Sequence, residues 1–170
     1  MPHHSCLRPT RAQTIRRGAV RPWLLLLLGL VLFFGISVAV ILLLTVDDWQ
    51  RDLSTNVAQT RVDHPDPSLR CVVLPVDSIA AAAQVRAVAA GLTGWREPQP
   101  AESAEELRFE RTTRWFRFVD DITVQLTPTE GGTRVSASSR SRVGKGDLGQ
   151  NPRNLRELFG PLRTQAAATN

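Results

Sequence analysis

Two neighbouring carboxylates, Asp120 and Asp121, are the first candidates for chemistry in this chain of 170 residues. They fall in an alternating, strand-like segment, where successive side chains point to opposite faces. The pair should therefore not converge on one substrate. Asp120 shares its parity with the apolar residues of the segment, which predicts a bulge, a turn or an ion pair with Arg117, Arg140 or Arg142. A ligand or metal contact is the alternative, and catalysis is the least favoured interpretation.

A glycine-rich loop at residues 144–149 contains two further candidates, Lys145 and Asp147. The loop lacks the spacing and the Lys-Ser/Thr pair of a phosphate-binding P-loop. Glycines that adopt positive φ angles are the favoured explanation of its composition. An anion held by Lys145, Arg142 and Arg153 is the alternative. We expect Asp147 to accept hydrogen bonds from loop N–H groups or to pair with an arginine.

Serines and arginines alternate just before this loop. Ser139 and Ser141 share the parity of Val135 and Val143, which predicts that all four lie on the buried face of a sheet. Arg140 and Arg142 should then lie on the opposite, open face, where a partner could reach them.

The positions of histidine and cysteine exclude several kinds of site. His3 and His4 lie near the N-terminus and His64 precedes the predicted domain, so that domain offers no Ser-His-Asp triad and no histidine metal site. Cys71 is its only cysteine, which excludes a thiolate cluster. We predict Cys71 to be a small buried residue, with an intermolecular disulfide as the alternative. No metal, no cofactor and no catalytic residue are therefore predicted.

An uncharged block at residues 23–46 predicts a transmembrane helix. Its length of roughly 36 Å suffices to cross a hydrocarbon core of about 30 Å. A cleaved signal peptide is the alternative, but its apolar region is usually shorter. Five arginines and no acidic residue precede the block, which predicts a cytoplasmic N-terminus and a periplasmic or lumenal C-terminal domain. These arginines account for the net charge of +5, so the charge does not indicate nucleic-acid binding.

The chain thus divides into five predicted segments. They are a basic cytoplasmic tail (1–22), a transmembrane helix (23–46), a juxtamembrane connector (47–68), an extracytoplasmic domain (69–163) and a disordered tail (164–170).

Local patterns within the domain predict strands and helices in a fixed order. Strands are predicted at 69–74, 107–110, 116–126 and 135–143, with a hairpin turn at Gly131 and Gly132. A helix at 78–90 should be capped by Asp77 and should place Ile79, Ala82 and Val85 on one apolar face. A final helix should be capped by Asn151 and should break or kink at Pro161. The order indicates an α+β fold, a twisted antiparallel sheet with two helices on one face. It is similar to the TATA-box-binding protein (TBP-like) or to a helix-grip domain.

Two segments resemble the signatures of a known family. SRSRVGKGDLGQN at 139–151 and FRFVDDITV at 116–124 resemble, in order and at plausible spacing, the domain-of-unknown-function family DUF1499. The resemblance implies a bacterial or plastid protein, often preceded by an export or membrane segment. It implies no activity.

Three functions are consistent with these observations. The leading hypothesis is a non-enzymatic domain that binds a partner or is an accessory subunit of a membrane complex. The second is a binding module for a lipid or small hydrophobic ligand, in a cavity lined by Phe109, Phe116, Phe118 and Leu158. An enzyme is the third. The expected partners are membrane lipid and a membrane-protein complex, not nucleic acid. The candidate contact residues are Asp120, Asp121, Arg140, Arg142, Lys145, Asp147 and Arg153.

Overall fold

The structure, a computed structural model, describes residues 22–45, 49–99, 105–114 and 116–169. It divides the chain into two compact units, Met1–Ile41 and Leu42–Asn170. The predicted basic tail, apart from Pro22, lies outside the described residues.

The first element, α1, is a 24-residue helix at Pro22–Thr45. Residues Pro22–Leu44 have a mean hydropathy of 3.0. Because a helix satisfies its own backbone groups, such a sequence is stable in lipid. The predicted apolar helix is therefore confirmed, and it is long and apolar enough to cross a membrane.

The second unit is an α+β domain built on an open, antiparallel sheet of six strands. The strand order is β1-β6-β5-β4-β3, and β2 pairs with the same edge of β6 as β1 does, nearer the start of that strand. The predicted fold class is confirmed. Its elements are α2 (Trp49–Ser54), β1 (Val57–Gln59), β2 (Val72–Leu74), α3 (Ser78–Gly91), β3 (Trp95–Arg96), β4 (Glu106–Thr112), β5 (Val119–Thr129), β6 (Gly132–Ser141) and α4 (Gln150–Thr169).

One face of the sheet packs on helices α3 and α4. Alternate residues of β5 and β6 are buried on this face, because successive side chains of a strand point to opposite faces. Leu155, Leu158, Phe159 and Leu162 of α4 complete the core from above. Residues of the opposite parity form the second face, which we call the open face. On β5 and β6 they are exposed or half-buried.

The hairpin between β5 and β6 turns at Glu130 and Gly131, one residue earlier than the predicted pair of glycines. Thr129 pairs with Gly132, which has a φ of 124°. A Cβ atom on Gly132 would lie 2.1 Å from the carbonyl oxygen of Leu74. Glycine is thus required at this position both by its φ and by the close approach of the backbone.

The segment between α1 and residue 69 differs from the predicted connector. It contains α2, β1 and a 3₁₀ turn at Pro67–Leu69, and Leu69 is buried in the core. Asp66 accepts hydrogen bonds from the Ser68 side chain and from Arg156 of α4, and these contacts hold the pKa of its carboxyl well below the usual range. A short strand that takes its hydrogen bonds from a distant partner leaves little signal in its own sequence.

Three other expectations on apolar residues need correction. Phe116 and Phe118, predicted to be in a strand, are 78% and 50% exposed in the loop before β5, where their rings stack. Val143 is exposed beyond the end of β6. Ile79, predicted on the buried face of α3, is 75% exposed, and Val88 is buried in that helix instead.

The final helix is longer than the sequence indicates. It begins at Gln150 and continues past Pro161 to Thr169, through most of the predicted disordered tail. Pro161 has no N–H to donate to the carbonyl oxygen of Glu157, four residues earlier. Both residues lie on the exposed side of α4. Buried Phe159 and Leu162 hold the helix to the core on either side of the proline.

Candidate functional site

Five polar side chains form a buried network between the sheet and α4. Ser141 Oγ donates to Asp120 Oδ1 at 2.6 Å, and Asn154 Nδ2 donates to Asp120 Oδ2 at 2.8 Å. Ser139 Oγ donates to Asn151 Oδ1 at 2.6 Å and accepts from Asn154 Nδ2 at 3.0 Å. All five residues are between 0% and 8% exposed. We call this group the buried polar network.

The network assigns Asp120 to the structure of the domain. Both its carboxylate oxygens accept hydrogen bonds, from Ser141 and Asn154, and not from one of the predicted arginines. Asp120 and Ser141 are direct cross-strand partners, so the contact follows from the strand register. Buried polar groups must be satisfied internally, and this network does so while holding α4 to the sheet. The predicted burial of Ser139 and Ser141 is confirmed.

Asp147 lies in the glycine-rich loop and caps the start of α4. Its Oδ1 accepts from the backbone N–H of Gly149 at 2.9 Å, and its Oδ2 accepts from that of Asn151 at 3.0 Å. A carboxylate is favourable at this end of a helix because the first N–H groups have no partner in the helix. The cap is therefore Asp147, and the predicted cap, Asn151, lies within the first turn.

The same loop is held against the end of α2. The backbone N–H groups of Asp147 and Leu148 both donate to the Asp52 carbonyl oxygen at 3.0 Å. A Cβ on Gly146 would lie 2.5 Å from the Leu53 carbonyl oxygen. Gly144 and Gly149 have φ angles of 97° and 76°, as predicted for the glycines of this loop, and Gly146 allows the close backbone packing.

The alternative interpretation of the loop, an anion held by Lys145, Arg142 and Arg153, joins three residues with different surroundings. Lys145 is exposed on the loop. Arg153 is half-buried on α4, where its Nη2 lies 3.4 Å from Gln150 Oε1. The Arg142 side chain lies on the open face.

A charged cluster joins β3, β4, β5 and the end of β6 on that face. Arg142 Nη2 lies 2.6 Å from Asp121 Oδ1 and 2.6 Å from Glu110 Oε1. Arg96 also donates to Glu110, which is only 7% exposed. Hydrogen bonds from Arg142 and Arg96 hold the pKa of Glu110 below its usual range, and the two carboxylates raise the pKa of Arg142. Glu110 and Arg142 therefore remain ionised and paired. Asp121 lies on the face opposite to Asp120, as predicted.

Beside this cluster the open face has a shallow depression of about 190 Å³. Hydroxyl and amide side chains line it, namely Gln59, Thr123, Gln125, Ser136 and Ser138. Arg134 and Arg140 are exposed on β6 on either side of Ser136 and Ser138. At about 3.4 Å per residue the two arginines are roughly 20 Å apart. Neither forms an ion pair within the part of the chain that the structure describes.

Sequence reasoning missed four residues of the buried polar network and the charged cluster: Arg96, Glu110, Asn151 and Asn154. Asn151 and Asn154 are polar residues in the buried stripe of an amphipathic helix, and that mismatch was the available signal. Glu110 lies directly opposite Asp121 in the register of β4 and β5. Only the register, which the sequence does not specify, brings the second carboxylate to Arg142.

The histidine and cysteine of the domain form local contacts. His64 Nδ1 accepts from the backbone N–H of Asp66 at 3.1 Å. The Cys71 Sγ lies 3.7 Å from Thr60 Oγ1, and Cys71 is half-buried, less than predicted. Among the described residues, no three His, Cys, Asp or Glu side chains are grouped so that they could hold a metal ion.

Fold and surface together define a small α+β domain that follows one apolar helix and has an uncovered polar sheet face. The model of the family described as a protein of unknown function, DUF1499, matches residues 47–162. The chain belongs to the DUF1499 family, as the two signature segments indicated. The match begins before α2, in agreement with the place of residues 49–69 in the fold. No curated protein matches the chain.

Proposed function

We propose that this chain is a membrane-tethered, non-enzymatic binding module whose open face holds an acidic segment of a protein partner in a membrane complex. α1 is the tether. The observation that supports the proposal is the pair of exposed arginines, Arg134 and Arg140, on either side of a strip of hydroxyl and amide groups. Each strip side chain can donate and accept hydrogen bonds, and each arginine can bind a carboxylate in bidentate fashion.

The charged cluster next to the strip supports the same assignment. Because Arg142 is already paired with Asp121 and Glu110, it orders the surface but has less capacity for a new anion. Arg134 and Arg140 retain that capacity. A preordered surface loses less side-chain entropy on binding than a mobile one.

The second hypothesis, a lipid or hydrophobic ligand between the sheet and the helices, receives no support from the residues named for it. Phe109 and Leu158 are part of the packed core, at 3% and 0% exposed. Phe116 and Phe118 lie outside it. The four side chains therefore do not line one cavity between the sheet and the helices.

The test is recovery of partners from native membranes in mild detergent. We expect the double variant Arg134→Ala/Arg140→Ala to recover at least about tenfold less of a partner protein than the unaltered full chain does, since two charged hydrogen-bonding groups are removed. The matched control is Ala83→Glu/Ala87→Glu on the exposed side of α3, which changes the net charge by the same two units. Equal recovery by all three proteins, or equal loss in both variants, would exclude the open face as the binding surface.

We also propose that the N-terminus is cytoplasmic and that the domain lies in the periplasm or an equivalent lumen. The proposal rests on the arginines before α1 and the aspartates after it. A reporter enzyme that is active only in the cytoplasm, fused after Asn170, should be silent. The same reporter should be active when it replaces everything after residue 21. Activity of the C-terminal fusion would reverse the orientation.

A further inference from the structure

A cleft of about 800 Å³ opens at the end of the sheet where α3 ends and β4 leads into the next loop. Four arginines line it: Arg96, Arg111, Arg114 and Arg117. Within the described residues, Glu157 is the one carboxylate of the lining. We call this feature the arginine cleft. Of the four arginines, Arg96 is already paired with Glu110 on the open face. That leaves three arginines against one carboxylate, in a domain whose basic and acidic residues balance overall.

Arg111 shows that the cleft lacks an acceptor. Its side chain is mostly buried, and its Nη2 is 3.5 Å from Glu157 Oε1, which is a loose ion pair. The Arg111 Nε is buried and has no hydrogen-bond partner. A buried N–H without an acceptor costs free energy, and such a group in a native protein calls for an explanation. An anion in the cleft would provide the missing acceptor.

Arg117 adds a guanidinium that the fold does not use. It is exposed, it has a φ of 52°, and its side chain forms no ion pair in the described part of the chain. A guanidinium group can donate two parallel hydrogen bonds to two oxygens of one phosphate. Several guanidinium groups around one cleft therefore favour a phosphate, which has more oxygens than a single carboxylate.

The surroundings of the cleft are apolar on one side. Leu92 and Trp95 belong to its lining, and the Trp95 ring lies 6.2 Å from that of Phe109. Phe116 and Phe118 flank Arg117 in the chain and are exposed. Exposed aromatic rings beside cations are typical of surfaces that meet an amphiphile at its polar end.

We propose that the arginine cleft binds a phosphate ester with an apolar substituent, the chemistry of an anionic phospholipid headgroup. The phosphate oxygens accept from Arg111 and Arg117, and the apolar part lies against Trp95 and the two exposed phenylalanines. This site does not depend on the strip of the open face, and it can exist whether or not a protein binds there.

The test is calorimetric titration of the full chain in micelles of a neutral detergent. The probes are inorganic phosphate, a water-soluble short-chain phosphatidic acid and the phosphatidylcholine of the same chain length. We expect saturable binding of the phosphatidic acid, weakened about tenfold by Arg117→Gln and by Arg111→Gln. Arg108→Gln is the control, because Arg108 is exposed, pairs with Glu106 and lies outside the cleft. It should change the affinity by less than about twofold.

The probes separate the two sources of the phosphate group. Tighter binding of phosphatidic acid than of inorganic phosphate supports both the phosphate contact and the apolar contact of the proposed site. Equal affinity would contradict the apolar contact with Trp95 and the phenylalanines and would reduce the cleft to a site for soluble phosphate. Three results would overturn the proposed site: no saturable binding of either probe, equal weakening by Arg108→Gln, or phosphatidylcholine binding as tightly as phosphatidic acid. Because Arg117 is exposed, its variant remains informative even if Arg111→Gln does not fold.

Discussion

Replacement of Gly132 by alanine should destabilise the domain by on the order of 3 kcal/mol, a large part of the stability of a small domain. The new Cβ would lie 2.1 Å from the Leu74 carbonyl oxygen and 2.8 Å from the Pro75 Cα. Both contacts are with backbone, so the clash is relieved only if β2 moves away from β6. The φ of 124° adds strain of its own for any residue with a side chain. Urea unfolding of the full chain in mild-detergent micelles, followed by near-ultraviolet circular dichroism, measures the effect.

The preceding glycine is an unusually close control. Gly131 is exposed, its φ is not positive and its Cβ would meet no atom within 4 Å. Gly131→Ala should therefore change the free energy of unfolding by less than about 0.5 kcal/mol. Equal stability of the two variants would mean that the hairpin is not packed against β2.

Asn151→Ala should cost a similar amount, on the order of 3 kcal/mol, by opening the buried polar network. The Asn151 amide accepts from Ser139 Oγ and donates to Ser141 Oγ and to the Asn56 carbonyl oxygen at 2.8 Å. Its removal leaves several buried polar groups unsatisfied at once. The same urea unfolding experiment measures the loss.

Gln84→Ala is the control for the loss of an amide from a helix. Gln84 is half-buried on α3, and its side chain has no hydrogen bond in the described residues. We expect a change within about 0.5 kcal/mol. If Asn151→Ala were as mild as Gln84→Ala, α4 would be held by its apolar face alone, and Asp120 would again be a candidate for binding.

The parity of the strands was the most reliable guide from the sequence. Alternation placed Val135, Ser139 and Ser141 on the buried face, and the structure confirms all three. The Asp77 cap of α3 was also predicted, and its Oδ1 accepts from Ala80 N at 2.8 Å. These features depend on neighbouring residues in the chain, which is why sequence reasoning reaches them.

Contacts between distant segments were beyond the sequence. β1 pairs with residues about 80 positions away in β6, and nothing in its three residues specifies that partner. Likewise Asp120 was expected near an arginine, but Asn154 reaches it from α4. The exposed loop of Phe116 and Phe118 was mistaken for a strand because aromatic residues at alternate positions are typical of strands.

Site-specific photo-crosslinking in native membranes tests most directly whether the open face binds a protein. A photoreactive amino acid would replace Gln125, exposed in the hydroxyl and amide strip, or Ala83, exposed on α3. We expect a discrete covalent protein adduct from position 125 that is lost in the Arg134→Ala/Arg140→Ala background, and none from position 83. Protein adducts from position 83 alone, or only lipid adducts from position 125, would contradict it.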